Sequence, residues 1–268
     1  MERLKRTEKN TLTERVLQFG EGNFLRGFVD WMIDKLNKEN GGDYGVTIVQ
    51  PLAGGLVDKL NAQDGRYSLY LRGLLKGEKV EETRIVDCVT RGINPYTDTD
   101  EFFDCAKNPD LRFIVSNTTE AGIEYKPNQN PDDFNGLTFP GRLTLFMKKR
   151  FDEGLGGFIF LPCELIDKNG DNLKECILKY SKDWGYGGEF EKWIETENHF
   201  TNTLVDRIVT GYPRDNAKEM EQSYGYLDDM IDTAEIFHLW VIEGDKKLAE
   251  EIPFHKIGLN VLWTDDVT

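Results

Sequence analysis

The sequence predicts an α/β fold, Rossmann-like and doubly wound around a mostly parallel sheet, with an appended hairpin. Three observations predict it. Short apolar runs closed by glycine or proline recur along the chain: Val16–Phe19 before Gly20, Val46–Val49 before Pro51, and Gly157–Leu161 before Pro162. Such runs suit strands buried on both faces. Phe24, Phe28, Met32 and Leu36 recur every four residues, as the apolar stripe of a helix does. Residues 16–50 therefore read strand, glycine turn, helix, strand, which is one βαβ unit.

The elements follow in order. Asn23 is the expected cap of the first helix, and Asn40-Gly41-Gly42 its stop. Arg66–Arg72 alternates, with Tyr67, Leu69 and Leu71 on one face. Lys76-Gly77-Glu78 then turns the chain into a second strand at Arg84–Val89, a hairpin appended to the sheet. Asp100–Ala106 is a short helix ended by Asn108-Pro109. Phe113–Val115 is a buried strand, and Pro140 opens a helix running to Phe151. Asp171 caps a helix bearing Leu173, Cys176, Ile177 and Tyr180, and a further helix carries Phe190, Trp193 and Ile194. Late strands are expected at Phe237–Ile242 and Leu259–Trp263.

Composition excludes several functions. The chain of 268 residues carries 33 Lys and Arg against 48 Asp and Glu, a net charge of −15. Phosphate backbones and anionic membranes are bound by clustered cations, so neither nucleic acid nor a membrane surface is an expected partner. No apolar run is long enough for a membrane-spanning helix. Met1–Asn10 lacks the apolar core of a signal peptide, and a cytoplasmic location is expected. Cys88, Cys105, Cys163 and Cys176 form no CxxC pair, and Cys163 and Cys176 read as small core hydrophobes. His199, His238 and His255 are scattered, so no metal site is expected.

Four stretches follow strands or precede helices where open α/β sheets bind ligands. In Gly20-Glu21-Gly22-Asn23-Phe24-Leu25, Gly20 permits the tight turn and Gly22 a close approach to a pyrophosphate. Leu25 stands where the usual third glycine would be, and a plain strand–helix turn uses the same glycines. Gln50, after the second strand, replaces the acidic residue that commonly holds the adenosine ribose. It carries no charge, and no arginine beside it in sequence welcomes a 2′-phosphate. The second stretch is Ser116-Asn117-Thr118-Thr119-Glu120, and the third Cys163–Gly170, where Asn169-Gly170 by itself reads as a turn. The fourth is Asn202–Ile208, whose Asp206-Arg207 pair by itself reads as an ion pair.

Together these stretches resemble the mannitol dehydrogenase family of long-chain polyol and hexonate dehydrogenases. The resemblance rests on residues 18–26, Gln63-Asp64-Gly65-Arg66-Tyr67, residues 116–123, Pro162–Asp167 with Asn169-Gly170, and Thr203–Asp215, in family order over nearly the whole chain. The wider family reads Cys-Asp-Asn where this chain has Cys163-Glu164-Leu165. The Glu-Leu version and the stretch Val209–Asp215 resemble the branch that interconverts tagaturonate and altronate.

The resemblance implies an NAD-dependent, metal-independent hydride transfer to a hexuronate ketone, reducing tagaturonate to altronate. Fructuronate reduction and mannitol oxidation are the neighbouring chemistries within the family. A non-catalytic dinucleotide-binding module is the other class of function. By resemblance, Gly20, Gly22, Asn23 and Phe24 form the cofactor's phosphate turn, with Gln50 at its ribose. Asn117, Thr118, Thr119 and Glu120 form the loop near the cofactor, Asn169 helps make the catalytic oxyanion site, and Asp206 lines the substrate pocket. Arg26 and Arg207 are candidates for an anion, with structural ion pairs as the plainer role. The family's catalytic Lys-x4-Asn-x2-His pattern is absent: the positions three before each histidine hold Thr196, Glu235 and Ile252. Residues 1–268 are thus expected to be an N-terminal, NAD-binding domain whose partner is a helical C-terminal domain carrying the catalytic lysine.

Overall fold

Six parallel strands form the central sheet: β1 (Glu14–Phe19), β2 (Gly45–Val49), β5 (Val89–Ile93), β6 (Phe113–Ser116), β7 (Ile159–Pro162) and β8 (His199–Phe200). The computed structural model describes residues 1–75, 77–119 and 122–265. Strand order is β5-β2-β1-β6-β7-β8, with the chain leaving β1 toward β2 and returning to β6 on β1's other side. This reversal is the switch point at which doubly wound sheets bind ligands.

Period-two alternation sends side chains to two cores. Val16, Phe113, Val115, Ile159 and Leu161 join one apolar cluster with the helix of residues 23–40. Leu17, Phe19, Ile114 and Phe160 join the other, with helices Phe139–Asp152, Asn169–Asp183 and Gly188–Glu197. Each fully buried large apolar side chain contributes roughly 1.5–3 kcal/mol. Gln18 breaks the alternation: it is buried on the first face and donates to the Gly20 carbonyl and to Asp30.

Several expectations need correcting. The hairpin β3 (Tyr67–Leu75) and β4 (Glu78–Val86) does not extend the central sheet. It pairs with β10 (Asp232–Glu235) in a separate three-stranded sheet, because Tyr67, Leu69 and Leu71 bury against the helix of residues 23–40. The expected strand at Arg84–Val89 divides: β4 ends at Val86, and Val89 starts β5 of the central sheet. Lys76, in the expected turn, lies outside the described residues. The late strands form a third sheet, β12-β11-β9, with β9 at Asn202–Asp206, β11 at Leu239–Glu243 and β12 at Val261–Thr264. Pro162 ends within β7 rather than after it. Pro140 does sit at the start of its helix.

The first helix departs from the simple every-four pattern. Its cap is Gly22, not Asn23, and residues Arg26–Asp30 form a π turn. Carbonyls there are satisfied by side chains: Arg26 O accepts from the Tyr67 hydroxyl at 2.8 Å and Gly27 O from Arg207 Nη1 at 2.7 Å. The later helix begins at Asn169 after Lys168, so Asp171 lies in its first turn and is not its cap. All four cysteines are buried and free.

Candidate functional site

Parallel register brings four strand ends to one edge. Phe19 pairs with Val49 and with Ser116, and Ser116 pairs with Pro162. The next residues, Gln50, Gly20, Asn117 and Cys163, therefore stand side by side along the crevice.

Gly20 makes the turn possible. Its φ of +129° lies in the region that side chains other than hydrogen rarely adopt. A Cβ there would come within 3.2 Å of the Asn117 carbonyl and of Leu25. At Gly22 a Cβ would meet nothing within 4 Å, so the backbone at the helix start is open to a ligand. Asn23 does not cap the helix; its Oδ1 accepts from Arg26 at 2.7 Å. Phe24 stacks on Phe28 at 5.1 Å. Arg26 is buried, spans the turn by donating to the carbonyls of Glu21 and Met230, and forms no ion pair among the described residues.

Gln50 is buried and both amide N–H groups are engaged within its own loop. It donates to the carbonyls of Leu52 and Ala53 and accepts from Val57 N–H. Glu21 reaches the same loop, accepting from Leu56 N–H, while its other oxygen has no hydrogen-bond partner among the described residues. Burial pushes the Glu21 carboxyl above its ordinary range. This carboxylate was not singled out in the sequence because nothing local shows that the turn folds onto the β2 loop. The fold also brings Arg142 to this loop, at 3.1 Å from the Pro51 carbonyl. Its other N–H groups go to the carbonyls of Phe134 and Leu137.

The second and third stretches meet through Glu164. Its carboxylate accepts from Ser116 Oγ, Thr118 N–H and Thr118 Oγ1, each at 3.0 Å. Burial is the largest influence on it and raises its carboxyl, against the pull of these donors. Asn117 Nδ2 donates to the Cys163 carbonyl at 2.7 Å. Thr119 is exposed with a φ of +75°, and Glu120 lies outside the described residues.

Asn169 joins the third stretch to the fourth. Fully buried, its Nδ2 donates to the carbonyls of Pro162, Glu164 and Thr203, and its Oδ1 accepts from Gly170 and Thr203 N–H. This amide positions loops, and no donor is left over for an oxyanion. Asp206 is exposed at the end of β9. Asp206 and Arg207 form no ion pair; Arg207 donates to the carbonyls of Glu235 and Gly27 and lies over the Trp31 ring at 4.1 Å.

Residues 14–256 match the mannitol dehydrogenase Rossmann domain. The chain belongs to the mannitol dehydrogenase family. This family domain is 47% identical over 259 residues to the altronate oxidoreductase of Cronobacter sakazakii, and 48% identical to that of Shigella flexneri. Each match covers 95% of this chain and 54% of the relative, so the chain spans about half the length of these relatives. Among solved structures, a substrate-free D-sorbitol dehydrogenase superposes with a TM-score of 0.80 at 24% identity, covering 96% of this chain and 55% of that one. The Pseudomonas fluorescens mannitol 2-dehydrogenase in ternary complex with NAD and D-mannitol also gives 0.80, at 20% identity, covering 96% and 54%. These two establish that the family domain shares their fold. Among the described residues, no helix is long and apolar enough to cross a membrane.

Proposed function

We propose that this chain is the NAD-binding part of an oxidoreductase that interconverts tagaturonate and altronate. The observation that carries the reading is the turn at the switch point, where Gly20 bends the chain and Gly22 leaves the helix start open. The N–H groups and dipole of that helix favour a pyrophosphate. The identity of 47% to an altronate oxidoreductase supports the substrate. When bound, NAD supplies or accepts the hydride.

The chain's own residues bind and orient. Gly22 and Asn23 bound the phosphate turn, and Asn117, Thr118 and Thr119 wall the crevice beside it. Glu164 and Asn169 hold those walls in register rather than touching the reacting atoms. Asp206, exposed at the strand end, is the candidate for a substrate hydroxyl. With Gln50 neutral and Arg142 committed to three carbonyls, NAD is preferred to NADP. Proton transfer needs an acid beside the ketone oxygen, which these residues do not supply; the segment that makes the relatives longer is its proposed source.

The test titrates NADH and NADPH against this chain and assays tagaturonate reduction by it alone and joined to a relative's remaining half. Tighter NADH binding, with turnover only in the joined protein, is the expected result. Tighter NADPH binding refutes the cofactor reading. Comparable turnover by the chain alone refutes the division of labour and points to Lys168 or His199 as the acid.

A further inference from the structure

Thirteen arginines serve a chain of net charge −15, and eleven of their guanidinium groups are committed. Arg3, Arg6, Arg15, Arg66, Arg84, Arg91 and Arg112 pair with carboxylates. Arg26, Arg142, Arg150 and Arg207 donate to backbone carbonyls. Arg72 and Arg214 have neither kind of partner among the described residues, and both line one cavity of about 540 Å³.

The cavity lies against the proposed cofactor turn. Asn23 is part of its wall, and Gly211 packs so closely over Asn23 that a Cβ there would meet its amide at 2.4 Å. Arg72 projects from β3 between two cross-strand glutamates, Glu81 and Glu235. Both are engaged elsewhere: Glu81 with the Tyr70 hydroxyl and Glu235 with the N–H of Ile208. Among the described residues Asp215 is the only carboxylate in the lining, so two cations face one anion. Tyr212 and Asn216 add groups that bond hydroxyls.

We propose that this cavity binds the carboxylate of the sugar acid, with Arg72 and Arg214 as its ligands. Guanidinium groups match a carboxylate in shape and charge, and the bond is stronger than one between neutral groups. The inference rests on the hexuronate reading above and names the residues that separate a hexonate from an uncharged polyol. The dinucleotide's phosphates are a second source of anionic charge beside Asn23, and the test separates the two.

The chain, loaded with NAD, is titrated by calorimetry with altronate and with altritol, its uncharged counterpart. Altronate is expected to bind more tightly, and Arg72→Gln and Arg214→Gln each to weaken it about tenfold while leaving altritol unchanged. Arg214→Lys, which keeps the charge but not the fork, should fall between. Both arginines are exposed, so the variants should fold, and unchanged NADH affinity verifies this. Equal binding of altronate and altritol, or altronate binding indifferent to both arginines, overturns the proposal. So does a loss of NADH affinity in the arginine variants with altronate unaffected, which assigns the cavity to the cofactor's phosphates. Gly22→Val tests the cofactor site separately: its failure to weaken NADH binding would count against that site and leave the altronate comparison intact.

Discussion

Glu164 and Thr118 are joined twice: one carboxylate oxygen accepts both the amide and the hydroxyl of the threonine, each at 3.0 Å. This pair fixes the distance between the loops that follow β6 and β7, and so the width of the crevice between them. Where a buried carboxylate replaces water for its donors, its removal leaves them unsatisfied.

Glu164→Ala should therefore cost roughly 1–3 kcal/mol in stability. It should also weaken NADH binding about tenfold by loosening residues 116–119. Glu164→Gln keeps an acceptor for Thr118 and should lose less of both. Urea denaturation and NADH titration give the two readings; an alanine variant that binds NADH normally would detach Glu164 from the cofactor site.

The two glycines of the turn should behave oppositely. Gly22→Val has open space for its side chain and should leave the thermal midpoint unchanged while lowering NADH affinity at least about tenfold. Gly20→Val must adopt a φ of +129° and press on Asn117, so it should destabilise the fold itself. Thermal melts with and without NADH distinguish the cases.

Asn169 should prove a stability residue. Asn169→Ala removes five hydrogen bonds from a fully buried site, an expected loss of about 3 kcal/mol. Asn169→Asp turns acceptor oxygens toward three carbonyls and should cost more than alanine. Denaturation curves decide. Variants as stable as the parent, with only turnover reduced, would restore the oxyanion role that the family resemblance implies.

Asp30 and Asp232 give a pH dependence whose sign is fixed. Burial pushes the Asp30 carboxyl up to about 7 and that of Asp232 up to about 6. The folded state thus holds these protons more tightly than the unfolded chain. Their contribution is complete below the ordinary carboxylate range and is lost as pH rises through about 7. Asn at position 30 can still accept from Tyr67 and Gln18, which contact one carboxylate oxygen. The stability difference, Asp30→Asn minus parent, should grow more positive from about pH 5 to about pH 8, by at most on the order of 3 kcal/mol. A difference independent of pH would show that Asp30 keeps an ordinary carboxyl.

The residues alone determined the βαβ opening, the buried strands at Phe113 and Ile159, the helix at Pro140 and the family, because apolar periodicity and glycine placement are local signals. They also placed Gly20 and Asn117 at strand ends, where register aligns them side by side. The tertiary structure decided what sequence spacing does not encode. The hairpin at Tyr67 reads as a sheet extension until its apolar face is seen to bury on the first helix. Asn169 reads as a ligand group until its amide is found saturated by backbone that is brought to it by folding. Arg72 and Arg214 lie 142 positions apart, and it is β10, paired with β3 on one side and hydrogen-bonded to residues 208–211 on the other, that brings their strand and loop to one cavity. Polar side chains take their roles from the partners that long-range packing supplies, whereas apolar ones follow a period already written along the chain.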